Sequence, residues 1–420
     1  MLNDLLTNGF TLSTFQTLSL GTAIALGAIL WVEIVRDSYH VLAHVWSPLG
    51  RLHNWHHRVF RPDLSVMSEE IYRKAHWYND VPEALVMLTF SLLPALALGL
   101  GGYPLWAVVS LLGSLYTLTF LGGAIARGLG VPQMDELTDL THRPGPFATY
   151  PSHWRVNRTY HWRHHFDDQK AYYCGTFTLV DQLLGTALSL KGKTIAVTGA
   201  SGSLGQALLK ELHNHGAKVI ALTSQEQPLS LTVKGETIPL KTVTWKIGEE
   251  AALQTLLEKV DILILNHGVN VHQQRSPQAI NTAYEVNTFS VLRLMELFFT
   301  TVKTNAQIAT KEVWINTSEA EVNPAFSPLY ELSKRAIGEL ITLRRLDAPC
   351  VVRKLILGPF KSNLNPVGIL SAEWVAKQVV KAAQRDSRNI IVTINPLTFV
   401  AFPLKEWGTS LYFRWFTRRS

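Results

Sequence analysis

The sequence contains very little cysteine, and its apolar residues are unevenly distributed. Of the 420 residues only Cys174 and Cys350 are cysteines, and their spacing matches no disulfide or metal motif. Although the net charge is +7, no basic stripe with interleaved aromatic residues is present, which argues against nucleic-acid binding. No long apolar run occurs after residue 190. Any membrane-spanning segment is therefore expected in the first half. The low cysteine content is compatible with a reducing compartment.

Three apolar runs lie in that first half, at residues 15–35, 84–100 and 105–125. Each is long enough to cross roughly 30 Å of hydrocarbon as a helix. The first run is not a cleavable signal peptide, because no basic residue precedes it and a histidine-rich stretch follows it. Arginines and lysines between residues 36 and 80 predict that this segment faces the cytoplasm. With three spans, the rest of the chain returns to the same side, so both catalytic domains are expected there.

Eleven of the 15 histidines precede residue 190, and most of them form ordered groups. Spacings of three and four residues place imidazoles on one face of a helix. Neutral imidazole is a good ligand for Fe, Zn and Cu, and eight ligands are too many for one tetrahedral zinc. The clusters therefore predict two metal ions. The eight residues are His40, His44, His53, His56, His57, His161, His164 and His165.

The motifs HVLAH, HNWHH and HWRHH resemble the three histidine boxes of the fatty acid hydroxylase/sterol desaturase superfamily. Eight residues separate the first two boxes, as that pattern requires. The stretch YYCGTFTLVDQLLGT resembles the family's ending through Gly175, Asp181, Gly185 and Thr186. The resemblance covers roughly residues 30–188.

This resemblance implies a di-iron centre that uses O2 to hydroxylate or desaturate a lipid chain. The eight clustered histidines are then the iron ligands, with His142 as the candidate for a ninth and His153 as its competitor. His76 is interpreted as structural. Such a centre needs a separate one-electron donor of the ferredoxin or cytochrome type. Asp167 and Asp168 either orient imidazoles or are solvated charges.

The pattern changes near Lys191, where KTIAVTGASGSLGQALLKELHNHGAKVIALTS predicts a strand, a glycine-rich turn, an amphipathic helix and a second strand. Gly199, Gly202 and Gly205 allow the backbone to approach a pyrophosphate at a helix N-terminus, and Ser201 is placed in the same cofactor-binding turn. The alternation of strands and helices that follows predicts an α/β Rossmann-type, doubly wound parallel sheet.

Together with Tyr330-x3-Lys334, this segment resembles the short-chain dehydrogenase/reductase family over roughly residues 191–395. The resemblance assigns Tyr330 and Lys334 to catalysis, with Asn287 as support for a proton relay and Asn266 and Gly268 near the cofactor. The catalytic serine is less clear from the pattern. Glu319 stands where that serine is expected, and the adjacent Ser318 is our choice.

The second strand ends in Thr223-Ser224, without an acidic residue to hold a ribose 2′-hydroxyl. This favours NADP(H) over NAD(H). The final segment, 396–420, combines aromatic residues with Arg414, Arg418 and Arg419. It is either an interfacial membrane anchor or a packed dehydrogenase C-terminus.

The sequence therefore predicts an all-α membrane domain at residues 1–188 with a di-metal site, a nucleotide-binding domain at 191–395 and an amphipathic tail. The predicted function is a bifunctional lipid oxidoreductase that couples O2-dependent hydroxylation or desaturation to NADP(H)-dependent alcohol/carbonyl interconversion. Two alternatives stay open. The second domain is a non-catalytic nucleotide sensor, or the first is a zinc-containing scaffold without redox chemistry.

Overall fold

A computed structural model describes residues 12–233, 235–362, 364–365 and 367–418. Residues 1–11, which lie before the first apolar run, and Arg419 of the tail are outside this range. The chain divides into two compact units. The first unit contains residues up to Pro146 together with Trp154–Asp181, and the second contains Phe147–His153 and Gln182–Ser420.

The first unit is built from helices. Their bounds are Leu12–Val45 (α1), Ser47–His57 (α2), Glu69–Ala75 (α3), Val81–Leu100 (α4), Pro104–Ser110 (α5), Leu112–Leu129 (α6), Met134–Thr138 (α7) and Arg158–Phe166 (α8), with Leu179–Leu184 (α9) at the boundary with the second unit. A π-helical turn, His76–Asp80, joins α3 to α4.

Among the described residues, three helical stretches are long and apolar enough to cross a membrane, judged by length and composition: Phe15–Val45, Glu69–Leu100 and Pro104–Leu129. The three runs expected from the sequence lie inside them. Glu33, the one charge in the first run, is buried and accepts hydrogen bonds from Tyr116 at 2.5 Å and from Arg36 at 3.4 Å. A carboxylate at this depth is costly without such partners, so the pairing explains how the span tolerates it.

The second unit is organised around a seven-stranded sheet with strand order β5-β2-β1-β6-β7-β8-β9. All of its neighbouring strands are parallel. The strands are Thr194–Thr198 (β1), Lys218–Thr223 (β2), Lys241–Thr244 (β5), Ile262–Leu265 (β6), Glu312–Asn316 (β7), Val351–Leu357 (β8) and Asn389–Val392 (β9), and a separate hairpin consists of Ser230–Val233 (β3) and Glu236–Pro239 (β4).

Helices cover both faces of this sheet, because its central strands are apolar on both sides. One core contains Leu204, Leu208 and Leu212, the inward stripe predicted for the helix after the glycine turn. The other core contains Leu294, Phe298 and Ile337. The helices of this unit are Ser203–Asn214 (α10), Gln254–Glu258 (α11), Pro277–Tyr284 (α12), Ser290–Phe299 (α13), Asn305–Thr310 (α14), Pro328–Arg344 (α15), Ala372–Gln384 (α16) and Thr398–Phe416 (α17).

The predicted fold class is confirmed for both parts of the chain, a helical region with apolar helices and a Rossmann-type parallel sheet. The short segment Phe147–His153 belongs to the second unit through its own contacts. The Phe147 N–H donates to Asn305 Oδ1 at 2.9 Å, and the Arg388 guanidinium donates to the Pro151 carbonyl at 2.8 Å. Asp386 accepts from His153 at 3.2 Å.

Candidate functional site

Five histidines of the first unit converge on one point. His40 and His44 come from α1, His53 and His57 from α2, and His164 from α8. One ring nitrogen of each lies within 4.8 Å of the others. The spacing of four residues within α1 and within α2 puts each pair on one helical face, as expected for ligands contributed by helices.

A second group lies beside the first and contains His56, His142, His161 and His165. His161 and His165 are one helical turn apart in α8, and their Nε2 atoms lie 3.1 Å apart. His142 Nε2 is 2.9 Å from His161 Nε2 and 3.2 Å from His165 Nε2. The structure thus brings all nine histidines proposed as ligands into two groups, including His142, whereas His153 pairs with Asp386 in the second unit.

Hydrogen bonds at Nδ1 determine which nitrogen of several rings carries the proton. His40 Nδ1 lies 2.6 Å from the Tyr173 carbonyl oxygen, and His164 Nδ1 lies 2.8 Å from that of Ala171. Since a carbonyl only accepts, both Nδ1 atoms must donate, and each Nε2 is left with a lone pair. These two Nε2 atoms are only 3.0 Å apart. Two lone pairs cannot hydrogen-bond to each other, so the arrangement fits a shared cation.

The spacing of the ring nitrogens also fits a metal ion. Within the five-histidine group the closest Nε2 pairs are 2.9–3.0 Å apart, between His57 and His53 and between His40 and His53. Ligands at about 2.0–2.1 Å from an ion, in adjacent positions at right angles, are separated by about 3 Å. Burial lowers the pKa of His161, His164 and His165 well below its usual value, which keeps them in the neutral form that binds metals.

Two further residues hold the rings in place, and sequence reasoning missed both. Asn79 Oδ1 lies 2.8 Å from His53 Nδ1, in the five-histidine group, and Asp139 Oδ1 lies 2.5 Å from His142 Nδ1, in the four-histidine group. Such partners orient ligand rings and raise their basicity. Asp167 and Asp168, considered for this role, accept hydrogen bonds from the Tyr172 hydroxyl and the Lys170 N–H. His76 pairs with Asp80 at 2.6 Å and is absent from both groups.

In the second unit, the glycine turn between β1 and α10 has the close packing expected of a nucleotide-binding loop. Gly199 has a φ of +62°, in the left-handed region that favours glycine. A Cβ on Gly205 would lie 2.2 Å from the Gly199 carbonyl oxygen, so only glycine fits there. At the end of β2 the Thr223 hydroxyl donates to Ser201 Oγ at 3.2 Å. Ser201 and Thr223 therefore meet where a ribose would be held, without a carboxylate.

Tyr330, Lys334 and Ser318 come together at the carboxyl end of β7. Tyr330 and Lys334 lie one turn apart on α15, and the Lys334 ammonium is 5.8 Å from the centre of the Tyr330 ring. Lys334 Nζ donates to the Asn316 carbonyl at 2.9 Å. Burial raises the pKa of Tyr330, and a side-chain hydrogen bond with Ser318 opposes that rise. Burial also lowers the pKa of Lys334 to about 8.

Asn287 lies beside this cluster, in the π-helical turn Glu285–Phe289. Its amide donates to the Val269 carbonyl at 2.9 Å and to Ser333 Oγ at 3.0 Å, and its Oδ1 accepts from the Val269 N–H. A Cβ on Gly268 would lie 3.1 Å from Asn287 Oδ1 and 3.8 Å from Lys334 Nζ. Asn266 Oδ1 accepts from the Asn316 amide at 2.9 Å, at the edge of the same site.

Ser318 and Glu319 differ in their contacts. Glu319 Oε2 accepts from the Thr393 hydroxyl at 2.5 Å and from the Thr398 hydroxyl at 3.3 Å. Thr393 follows β9 and Thr398 begins α17, so this carboxylate fastens the end of the sheet to the C-terminal helix. Ser318 is the residue of the two whose side chain acts on Tyr330, where it opposes the rise in the pKa caused by burial.

Similarity to known proteins extends along nearly the whole chain. It is 68% identical over 404 residues to the monoglucosyldiacylglycerol epimerase of Synechocystis sp., covering 96% of this chain and 98% of that protein. This chain belongs to the same family. Residues 193–349 also match the family model for short chain dehydrogenases, which confirms the predicted dehydrogenase domain.

More distant relatives match about half of the chain. L-xylulose reductase of Homo sapiens is 28% identical over 190 residues, covering 43% of this chain and 72% of that protein. Ketoacyl reductase HetN of Nostoc sp. is 23% identical over 236 residues, covering 50% of this chain and 82% of that protein. A Burkholderia cenocepacia short chain dehydrogenase, solved in complex with NADP, is 21% identical with a TM-score of 0.44, covering 55% of this chain and all of its own.

Proposed function

We propose that this protein inverts one alcohol-bearing carbon of a glucosyl headgroup on a diacylglycerol lipid. The inversion takes place in the short-chain dehydrogenase unit, by oxidation to a ketone and reduction from the opposite face. The observation that carries the proposal is the Ser318–Tyr330–Lys334 cluster at the end of β7, in a chain 68% identical to a monoglucosyldiacylglycerol epimerase.

The side chains of the cluster provide the proton chemistry that this reaction needs. Ser318 orients the sugar hydroxyl, and Tyr330, as phenolate, accepts its proton while the carbon loses a hydride. Lys334 stabilises the phenolate by its charge. In the second half of the cycle Tyr330 returns the proton as hydride is added to the other face of the ketone. The steps balance, so neither oxidant nor reductant is consumed overall.

NADP is the proposed cofactor, and when bound it supplies the hydride acceptor of the first step and the donor of the second. The loop containing Gly199, Gly202 and Gly205 would hold its pyrophosphate at the start of α10. Ser201 and Thr223 would face the adenosine ribose, where an acidic residue would favour NAD instead. Asn266 and Gly268 line the same edge of the sheet.

The lipid part of the proposal agrees with the apolar helices of the first unit. A diacylglycerol substrate is a component of the bilayer. A chain with three helices able to cross a bilayer would be located in the same membrane as this substrate. We propose that both catalytic units face the cytoplasm, because of the arginines and lysines between the first two spans.

The test is conversion of monoglucosyldiacylglycerol by the full-length protein in lipid nanodiscs with NADP, read by analysis of the sugar released on hydrolysis. Ser318→Ala should lower the conversion rate by roughly 10²-fold or more. Glu319→Gln, the matched neighbour, should retain most of it, because Glu319 bonds to Thr393 and Thr398. Loss with Glu319→Gln but not with Ser318→Ala would reject the assignment of Ser318. A wild-type protein that forms no epimer would reject the function.

The two histidine groups favour a second activity in the same chain, an O2-dependent hydroxylation or desaturation of a lipid chain. Nine imidazoles in two adjacent groups suit a pair of iron ions better than one four-coordinate zinc. Iron bound there would supply O2 activation, with electrons from a separate ferredoxin- or cytochrome-type donor. Phe60, stacked on His142 with ring centres 4.2 Å apart, contributes an apolar wall to the four-histidine group.

This second activity is tested by loading the full-length protein with Fe(II) without oxygen, then adding O2, an electron donor and membrane lipids. Mass spectrometry should find a lipid that has gained one oxygen or lost two hydrogens, and His164→Ala should abolish that product. Purified protein that contains zinc and does not take up iron would instead identify the histidine unit as a scaffold.

A further inference from the structure

The C-terminal helix α17, Thr398–Phe416, has one face fixed to the dehydrogenase unit. Thr398, Phe402 and Glu406, spaced four residues apart, are all buried. Glu406 accepts from the Lys354 ammonium at 2.7 Å and from the Arg345 guanidinium at 3.0 Å. These ion pairs are shielded from water, so the helix is held in a definite orientation rather than lying loosely on the surface.

The remaining surface of α17 is strongly apolar and exposed. Its side chains are between 53% and 73% exposed, although they include two tryptophans and a tyrosine. Contiguous apolar surface of this kind marks an interaction site. The exposed residues are Phe399, Val400, Leu404, Trp407, Tyr412, Trp415 and Phe416.

Basic residues surround the last turns of the same helix. Arg414 and Arg418 line an open depression of about 340 Å³ together with Arg345, Tyr150 and Asp347. Because Arg345 is paired with Glu406, the positive balance of this depression comes from Arg414 and Arg418 against the one carboxylate of Asp347. Arginine pairs readily with phosphate oxygens, so the depression suits an anionic phosphate group.

We propose that this surface, the exposed face of α17 with the arginine depression at its end, docks the dehydrogenase unit on an anionic lipid bilayer. Tryptophan and tyrosine beside arginine are the residues that bind at the interface between headgroups and acyl chains. The bilayer is the occupant that the rest of the chain favours, because the same chain carries three helices able to cross one. A second protein copy would have no need of the positive depression.

Residues of α17 outside the docking surface join the helix to the turn that carries Ser318. Glu319 accepts from Thr398 in the first turn of α17, and the Lys405 ammonium donates to Glu321 at 2.8 Å. Both carboxylates lie within three residues of Ser318. A helix seated in the headgroup layer would therefore hold this side of the site next to a lipid headgroup. Docking itself does not rest on the proposed epimerisation and is tested without it.

The test places a fluorescent label on the docking surface of the full-length protein. Because both native cysteines are buried, Leu404→Cys and Tyr412→Cys can be labelled selectively. Lys210→Cys, exposed on α10 against the other face of the sheet, is the control. In nanodiscs that contain phosphatidylglycerol, brominated acyl chains should quench the labels at 404 and 412 but not the label at 210.

Charge reversal completes the test. Arg414→Glu with Arg418→Glu should weaken docking by about five-fold or more for each arginine and lower the quenching, and zwitterionic lipid should do the same. Equal absence of quenching at 404, 412 and 210 would overturn the proposal. A second result would also overturn the proposal: labels at 404 and 412 that are protected from solvent, are not affected by lipid bromination and become exposed on dilution. That result would identify a second protein copy as the occupant.

Discussion

The two units build their sites from opposite kinds of chemistry. In the histidine unit the converging atoms are alike, since neutral nitrogens with lone pairs face one another at 2.9–3.3 Å. In the dehydrogenase unit donors alternate with acceptors, from Lys334 to the Asn316 carbonyl and from Asn287 to Ser333. The first arrangement would be stabilised by bound cations, whereas the second is satisfied by its own hydrogen bonds. We therefore expect a mutation in one site to leave the other site unchanged.

The largest expected effect comes from Tyr330→Phe, which removes the proton acceptor and leaves the packing of the ring intact. Epimer formation should fall by roughly 10²–10⁴-fold. Metal content, measured by elemental analysis, should equal that of the wild type, and NADP should still bind. His164→Ala is the reciprocal variant and should lose metal while it retains NADP affinity. A Tyr330→Phe protein that has lost its metal would contradict the independence of the two sites. A Tyr330→Phe protein that still forms the epimer at the wild-type rate would contradict the role of Tyr330 as proton acceptor.

A finer comparison concerns the two histidine groups themselves. Asn79→Ala removes the partner of His53 in the five-histidine group, and Asp139→Ala removes the partner of His142 in the four-histidine group. Each variant should weaken metal affinity by about 10–100-fold at its own group. Titration of metal-depleted protein should then show one weakened and one unchanged binding step, and each variant serves as the control for the other. Equal weakening of both steps would mean that the groups act as one site.

A smaller effect is expected from pH. Burial lowers the pKa of Lys334 to about 8, so its ammonium is present below that pH and is lost as pH rises through it. Without the charge the Tyr330 phenolate loses its stabilising partner, and the conversion rate should fall above pH 8 by at most roughly ten-fold per unit. The rate should recover when the protein is returned to pH 7. A rate that stays level up to pH 10 would contradict this role of Lys334.

The two sites also differ in how much of them the sequence reveals. Helical spacing groups eight of the nine histidines, since it puts His40 with His44, and His161 with His165, on common faces, whereas His142 was proposed only from the family resemblance. Asn79 and Asp139 could not be found in this way, because each meets its histidine only through the packing of distant segments. The sequence left His142 and His153 as competing candidates. In the structure His142 lies in the four-histidine group, whereas His153 pairs with Asp386.

In the dehydrogenase unit, the sheet and the glycine turn follow from short apolar strands and a recognisable loop. The role of Ser318 did not follow from spacing alone, since Glu319 occupies the position where the pattern expects serine. The assignment of Ser318 stays a prediction, and the structure adds that Glu319 bonds to Thr393 and Thr398, residues more than 70 positions away. Likewise, the tail composition suggested an anchor or a packed terminus, and the helix has one buried and one exposed face.

The most direct test of the proposed epimerisation follows the hydrogen on the inverted carbon. Full-length protein in nanodiscs with NADP is incubated in D2O with monoglucosyldiacylglycerol, and the product sugar is analysed for deuterium at each carbon. Because the hydride leaves and returns through the cofactor, the inverted carbon should contain no solvent deuterium, and a substrate deuterated there should keep its label. Solvent deuterium at the inverted carbon would contradict the account, since the hydrogen would then have left as a proton.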